Sequence, residues 1–379
     1  MIYRNKNFIY FDNAATSFLK PKEVQKAVLE AMQNLTANPG RSGHELSQRV
    51  AEAVFETREN LKDFFGGKSY DIIFTKNCTE ALNLAIFGTL KNGDHVITTC
   101  YEHNSVLRPL EALKKRGIDV SVLDCDLENF HNEFESKIQP NTKLIITTFV
   151  SNVTGEICDV KKVNEVCKKH KIKHLVDGAQ ACGHIEINLE NIGCDMFAFA
   201  GHKGLLSLTG VGGLFVKNLE DLSPIIFGGT GIDSENLVQS TDTIEGFEAG
   251  TIPTIPIISL NASVQFLKKN FSKILKKERK MSEFLYNLLK NTKNLEIFSK
   301  KSSVNVFSFN VKNFDSGTIA NILNERFNIC VRAGLHCSPL IHKKIKTLKT
   351  GAVRVSIDFF NTPEEIEYLI YAINQIANG

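Results

Sequence analysis

From residue 71 to residue 200 the chain alternates short, β-rich apolar runs with amphipathic segments, and few architectures accept that pattern. Asp71-Ile72-Ile73-Phe74-Thr75 reads as a strand and Thr79 to Leu90 as a helix. His95-Val96-Ile97-Thr98-Thr99 reads as a strand, 104–116 as a helix that ends at Gly117, and Val120 to Leu123 as a strand. Lys143 to Phe149 is an apolar strand, 160–171 a helix, and Lys173 to Asp177 and Met196 to Ala200 are strands. Strands that alternate with helices give a mostly parallel sheet covered on both faces. Helices are expected ahead of it, over 22–34 after Pro21 and over 45–65 before Gly66-Gly67.

Beyond about residue 260 the pattern changes. A Lys-rich helical region covers 261–293, short strands are expected at 304–311 and 351–357, and helices at 316–327 and 363–377. This describes a smaller α+β unit. Pro253 and Pro256 suggest a hinge at 252–258 leading into it.

Composition removes several classes of function. Lys and Arg exceed Asp and Glu by 45 − 42 = 3, too small an excess for a general nucleic-acid or membrane-surface partner. No apolar run reaches the roughly 18 residues of a membrane span, and the polar Met1–Asn7 stretch has no signal-peptide core, so a cytoplasmic protein is expected. The nine cysteines are odd in number and form no C-x-x-C, which argues against a disulfide framework and a structural zinc site. Trp is absent, leaving the 26 Phe to carry aromatic packing.

Three motifs mislead. Gly67-Lys68-Ser69 mimics the end of a phosphate-binding loop, but position 62, where that loop needs Gly, is Lys. His170 and His174 have the spacing of zinc ligands on one helix face, yet Lys173 to Asp177 reads as a strand and no metal is expected. Gly228-Gly229-Thr230-Gly231 reads as a turn or a substrate-channel loop.

Four segments sit at the carboxyl ends of expected strands, the edge where open α/β sheets bind ligands. Asn77-Cys78-Thr79-Glu80-Ala81-Leu82-Asn83 joins a strand to a helix; a hydroxyl and free amides there suit a phosphate, and a plain N-cap at Thr79 is the bland alternative. Tyr101-Glu102-His103-Asn104-Ser105 offers an imidazole that could stack on a flat ligand or relay protons, or make only an ordinary loop hydrogen bond. Leu175-Val176-Asp177-Gly178-Ala179-Gln180 ends an apolar strand on a carboxylate that could hold a protonated pyridine nitrogen, or cap a helix. Phe199-Ala200-Gly201-His202-Lys203-Gly204 places a lysine in a Gly-flanked turn. Desolvation there suits Schiff-base chemistry, and a snorkelling head group is the alternative.

Together, and in this order, these segments resemble the fold-type I pyridoxal-phosphate enzymes of the class V aminotransferase family, in particular its cysteine desulfurase and selenocysteine lyase branch. The resemblance covers essentially the whole chain. It includes Phe11-Asp12-Asn13-Ala14-Ala15-Thr16, Asn38-Pro39-Gly40-Arg41-Ser42-Gly43-His44, Ser151-Asn152-Val153-Thr154-Gly155, Phe247-Glu248-Ala249-Gly250-Thr251 and Val331-Arg332-Ala333-Gly334-Leu335-His336-Cys337. It implies an α/β fold: a large domain over 16–260 with a mostly parallel sheet of the seven-stranded type, and a small α+β domain made of 1–15 and 261–379.

The resemblance also implies roles. Lys203 carries pyridoxal 5′-phosphate as a Schiff base and moves the substrate proton. His103 stacks on the ring and serves as acid or base, Asp177 pairs with the ring nitrogen, and Gln180 contacts the phenolic oxygen. Thr79, with Cys78 beside it, and His202 hold the phosphate, and Thr251 reaches it from a neighbouring subunit, which implies a homodimer. Asn152, Arg354, Arg332 and His44 form the substrate side, Arg354 as a bidentate fork for a carboxylate. Cys337 takes sulfur from L-cysteine as a persulfide and leaves L-alanine, and a sulfur-acceptor protein then relieves it. Arg332 or His336 would favour the ionised thiol, in a setting that reads as exposed and polar.

This chain departs from the family pattern at Ala200, where a Ser or Thr often donates to the phosphate. Ser338-Pro339 directly after Cys337 resembles the group with a short, ordered nucleophile loop. A selenocysteine lyase or another class V reaction remains an alternative, and the latter needs no Cys at 337. A sulfur-carrier scaffold with a dead site would lack Lys203 or Asp177, and both are present.

Overall fold

The computed structural model describes residues 8–378 except 41, 125 and 127–129. Met1–Asn7, Arg41 of the Asn38–His44 motif and Cys125 therefore lie outside the described residues. Among those described, no helix is long and apolar enough to cross a membrane.

A short strand β1 (Ile9–Tyr10) precedes two helices, α1 (Lys22–Asn34) and α2 (Glu45–Phe64). Then comes the alternating region: β2 (Asp71–Thr75), α3 (Cys78–Thr89), β3 (His95–Thr99), α4 (Asn104–Lys114), β4 (Asp119–Leu123), α5 (Phe130–Lys137), β5 (Thr142–Thr148), α6 (Val160–His170), β6 (Lys173–Asp177), α7 (Leu189–Ile192), β7 (Met196–Ala200) and β8 (Gly212–Val216). The seven strands form one sheet in the order β2-β8-β7-β6-β5-β3-β4. Neighbours from β7 to β4 pair in parallel, while β8 runs antiparallel to both β7 and β2. Every residue of β3, β7 and β8 is buried, as expected for strands covered on both faces. Phe65, Phe197, Phe199 and Phe215 form a cluster of ring contacts under the sheet, with Phe65 edge-on to Phe215 at 5.5 Å.

The helix α8 (Thr254–Asn291) follows. After it come β9 (Leu295–Ile297), β10 (Val306–Val311), α9 (Ser316–Phe327), β11 (Ile329–Cys330), β12 (Arg332–Gly334), α10 (Pro339–Lys344), β13 (Ala352–Ser356) and α11 (Pro363–Asn378). A small antiparallel sheet has the order β12-β13-β10-β9, and β1 pairs in parallel with β11. Ile257, Leu260, Val264 and Leu267 of α8 join the apolar cluster beneath the large sheet, whereas Met281, Leu285 and Leu289 pack with Phe307, Phe309 and Ile373.

Three expectations need correcting. The strand β8 was not expected, because Gly212-Gly213 reads as a breaker. The helix α8 starts at Thr254 rather than 261, so the segment read as a hinge is its first turn; Pro256 is tolerated there because first-turn amides have no intrahelical acceptor. The helix α3 starts at Cys78, and its cap is Asn77, whose side chain accepts from Glu80 N at 3.0 Å, not Thr79. His174 lies in β6 and bonds Thr147 Oγ1 at 2.9 Å, while His170 ends α6 and meets Glu135 at 3.2 Å, so the two do not form a pair.

Candidate active site

The turns after β2, β3, β6 and β7 converge on one cavity at the carboxyl edge of the sheet. Its wall includes Thr79, His103, Asp177, Gln180, His202 and Lys203, with Asn77, Cys78, Ser105, Asn152 and Ala200 around them. Chain topology accounts for this: parallel strands point their carboxyl ends the same way, and each delivers one polar side chain to that edge.

Asp177 closes β6 with its carboxylate buried. Oδ1 accepts from Ala179 N at 2.9 Å and from Cys78 Sγ at 3.6 Å, which leaves Oδ2 for a donor in the cavity. Burial pushes this carboxyl up, against the pull of the Ala179 amide and Lys203. Burial likewise pushes the Lys203 amine down, with Asp177 opposing. A lysine so desolvated is more readily neutral, and a neutral amine is the nucleophilic form.

The turn that carries Lys203 is held tightly. His202 O accepts from Ser17 N at 3.0 Å and from the Thr16 and Ser17 hydroxyls at 3.2 and 3.0 Å. Leu206 N donates to Lys203 O at 2.8 Å. The His202 imidazole is pushed down to about 4, first by burial and then by Lys203 and Lys20.

His103 caps α4, its Nδ1 accepting from Ser105 N at 3.1 Å. Burial, followed by Lys203, Arg332, Arg354 and Arg108, lowers it to about 4, so the ring is neutral at neutral pH. Because Nδ1 accepts, the proton sits on Nε2. The turn before it is fixed by Glu102, which sequence reasoning passed over. Its Oε1 accepts from Thr99 Oγ1 at 2.7 Å and Thr148 N at 2.8 Å, and burial raises the carboxyl to about 8.

Cys337 enters from the other unit, on the loop after β12. Its Sγ lies 3.6 Å from Arg332 Nη2, and it lines a recess with Thr79, His103 and Arg108 next to the cavity. The backbone around it is pinned to the large unit. Asn104 N donates to Cys337 O at 2.7 Å, Asn152 Nδ2 donates to His336 O at 2.7 Å, and Ser338 Oγ donates to Asn152 Oδ1 at 2.8 Å. Asn152 thus grips both neighbours of Cys337. The reading of this loop as exposed and polar is only half right. His336 is 2% exposed, bonds Ala352 O through Nε2 at 3.0 Å, and is held well below its usual value by burial, so it supplies no positive charge.

Arg354 is buried. Its Nη1 donates to Asn152 O at 3.1 Å and its Nη2 to Asp12 Oδ1 at 2.9 Å, while Nε has no partner. Asp12 lies in the quoted Phe11–Thr16 motif, but its pairing with Arg354 was not foreseen. Five expected site residues, Cys337, Arg332, Arg354, His44 and Thr251, are not in the wall of this cavity. His44 caps α2, its Nδ1 accepting from Ser47 N at 3.2 Å, and Thr251 is exposed beside Phe74 and Ile225.

The wall fits a ring that carries a phosphate. Gln180 Oε1 and His202 Nδ1 are buried there without a partner in the protein. The first-turn amides of α3 suit an anionic group, as do the guanidinium groups of Arg332 and Arg354 outside the wall, and Asp177 Oδ2 suits a cationic ring nitrogen.

The model of the class-V aminotransferases matches residues 9–369. A probable cysteine desulfurase of Methanothermobacter thermautotrophicus is 34% identical, over 98% of this chain and 95% of that protein. One of Pyrococcus abyssi is 35% identical, over 98% and 94%. The apo structure of a cysteine desulfurase from Thermococcus onnurineus superposes with a TM-score of 0.91 at 33% identity, covering 98% of this chain and 95% of that one. With the match spanning nearly every residue, this chain belongs to the class-V aminotransferase family.

Proposed function

We propose that the protein is a pyridoxal-phosphate-dependent cysteine desulfurase that converts L-cysteine to L-alanine and keeps the sulfur on Cys337 as a persulfide. The observation that carries this reading is a thiol held beside an arginine, on a backbone pinned at both flanks, in a recess next to the cavity that holds buried Lys203 and Asp177.

The cofactor, when bound, supplies an electron sink next to the substrate's Cα. Lys203 would anchor it through Nζ and move the Cα proton. Asp177 Oδ2 would hold the ring nitrogen, Gln180 the phenolic oxygen, and His103 would supply a stacking surface. Thr79 through its amide, the amide of Cys78, and His202 would bind the phosphate. Arg354 keeps three N–H groups for the substrate carboxylate beyond the two used by Asn152 and Asp12. Arg332 serves the sulfur. In the net transfer the substrate's Cβ–S bond breaks and an S–S bond to Cys337 Sγ forms. The electron pair of the broken bond stays on Cβ and takes up a proton, so L-cysteine plus a thiol gives L-alanine plus a persulfide without an outside oxidant.

A second copy of the chain completes the site by bringing its Thr251 to the phosphate. Phe227, Leu237 and Val238, at 74%, 102% and 74% exposure, support such a contact, and a sedimenting mass of one chain would refute it. The eight described cysteines are free thiols, which suits the reducing cytoplasm. The deciding experiment is alanine release from L-cysteine by the cofactor-loaded protein and its Cys337→Ala variant. Alanine from the first and none from the second is the expected result. Equal release by both would remove Cys337 as nucleophile and favour a selenocysteine lyase.

A further inference from the structure

Ser105 brings a hydroxyl to the cavity that none of the roles above uses. Its Oγ lies 2.7 Å from Thr79 Oγ1 and 2.9 Å from His103 Nδ1. A count of protons shows what it can do. The lone pair of His103 Nδ1 already receives the Ser105 amide. Thr79 and Ser105 each own one hydroxyl proton, and only one of the two is needed to join their oxygens. The pair therefore has a proton left to donate outward, next to the unused first-turn amides of α3. Ala200 lines the same cavity beside His202 and contributes no hydroxyl.

We propose that Ser105 is a phosphate-binding residue, donating its Oγ–H to the phosphate of the cofactor from the start of α4 and standing in for the hydroxyl that position 200 lacks. The proposal rests on the cofactor reading above. A hydrogen bond to a charged group, and not a general role in packing, is what it assigns to this side chain, so the ligand without its phosphate is the natural control.

Apoprotein is titrated with pyridoxal 5′-phosphate and, separately, with pyridoxal, following absorbance and fluorescence. Ser105→Ala is expected to weaken the phosphorylated ligand about ten- to a hundredfold. It should leave pyridoxal affinity within about twofold, since no phosphate contact is lost there. Ser105→Thr keeps the hydroxyl and should bind both ligands like the parent, which also guards against a variant that merely misfolds. Adding Ala200→Ser to Ser105→Ala should restore most of the loss. The proposal is overturned if Ser105→Ala binds the phosphorylated ligand normally, or loses both ligands alike, as a residue that only orients His103 would. Failure of Ala200→Ser to restore binding overturns the exchange of hydroxyls between the two positions. If the parent binds neither ligand, the cofactor reading falls and this proposal with it.

Discussion

At the scale of single residues, the site depends on a loop whose backbone is unusual. Gly334, His336 and Cys337 all have positive φ, at 106°, 49° and 60°. For the two that carry a Cβ, the left-handed region costs roughly 1–2 kcal/mol each. Asn152 and Asn104 hold that geometry through three hydrogen bonds to residues 336–338, and the result is a thiol aimed at Arg332. The Arg332 guanidinium donates to the Cys337 sulfur at 3.6 Å and so fixes the direction of that side chain. Arg332→Ala is therefore expected to slow alanine formation from L-cysteine about tenfold, because the hydrogen bond that orients the thiol is lost. An unchanged rate would show that Arg332 does not act on the thiol. His336→Gln should leave the rate near that of the parent, because the imidazole is neutral and turned to Ala352 O. These two residues mark how far the sequence could be read. Arg332 was legible from its five-residue spacing to Cys337. His336 was not, since a polar letter in a Gly-containing loop looks exposed and only the fold buries it.

At the scale of elements, the turns after β2, β3, β6 and β7 were legible because each ends an apolar strand, and the carboxyl edge of a parallel sheet is where such turns meet. The strand β8 was illegible for the opposite reason. Its first residues are Gly212-Gly213, which strand propensity discounts, yet packing demands them. A Cβ at Gly212 would stand 2.7 Å from Asn77 C and from Phe199 O, and 2.8 Å from Cys78 N. All three are backbone atoms, fixed by the start of α3 and by β7. Gly212 thus lets the first turn of α3 settle onto the sheet with its amides facing the cavity. Gly212→Ala is expected to lower stability by about 1–3 kcal/mol through overpacking and to weaken pyridoxal 5′-phosphate further by tilting that turn. Urea unfolding of the apoprotein measures the first effect, and titration of the cofactor the second. Normal binding by a destabilised variant would show that the α3 turn is not part of the phosphate cradle.

At the scale of the whole molecule, the question is what joins the two units that supply Lys203 and Cys337. The helix α8 belongs to both cores, and its buried Glu278 meets His184, which follows β6, at 2.9 Å with each side chain 4% exposed. Burial alone would pull His184 down, but the charge of Glu278 and the hydrogen bond to it outweigh that pull, and the imidazole ends above its usual value. Asp358, just past β13, faces the same pair, and burial raises its carboxyl to about 6. Glu278 is among the charges that raise it, so Glu278→Gln lets Asp358 fall back towards its ordinary value and the difference between parent and variant near pH 6 carries that contribution too. A histidine whose folded-state value is raised adds stability that is complete below the unfolded value near 6.5 and disappears as pH climbs through the folded value. Breaking such a buried pair by removing one partner costs about 3–5 kcal/mol. Glu278→Gln should therefore lower stability by about that amount at pH 6 and by less at pH 9, since His184 sheds its proton, and with it the need for a counter-charge, as pH rises through its raised folded-state value. Urea unfolding of both proteins at the two pH values measures it. An equal loss at pH 6 and pH 9 would mean that Glu278 contributes shape and a neutral hydrogen bond, and that apolar packing along α8, not this ion pair, keeps the nucleophile's unit in register with the lysine's.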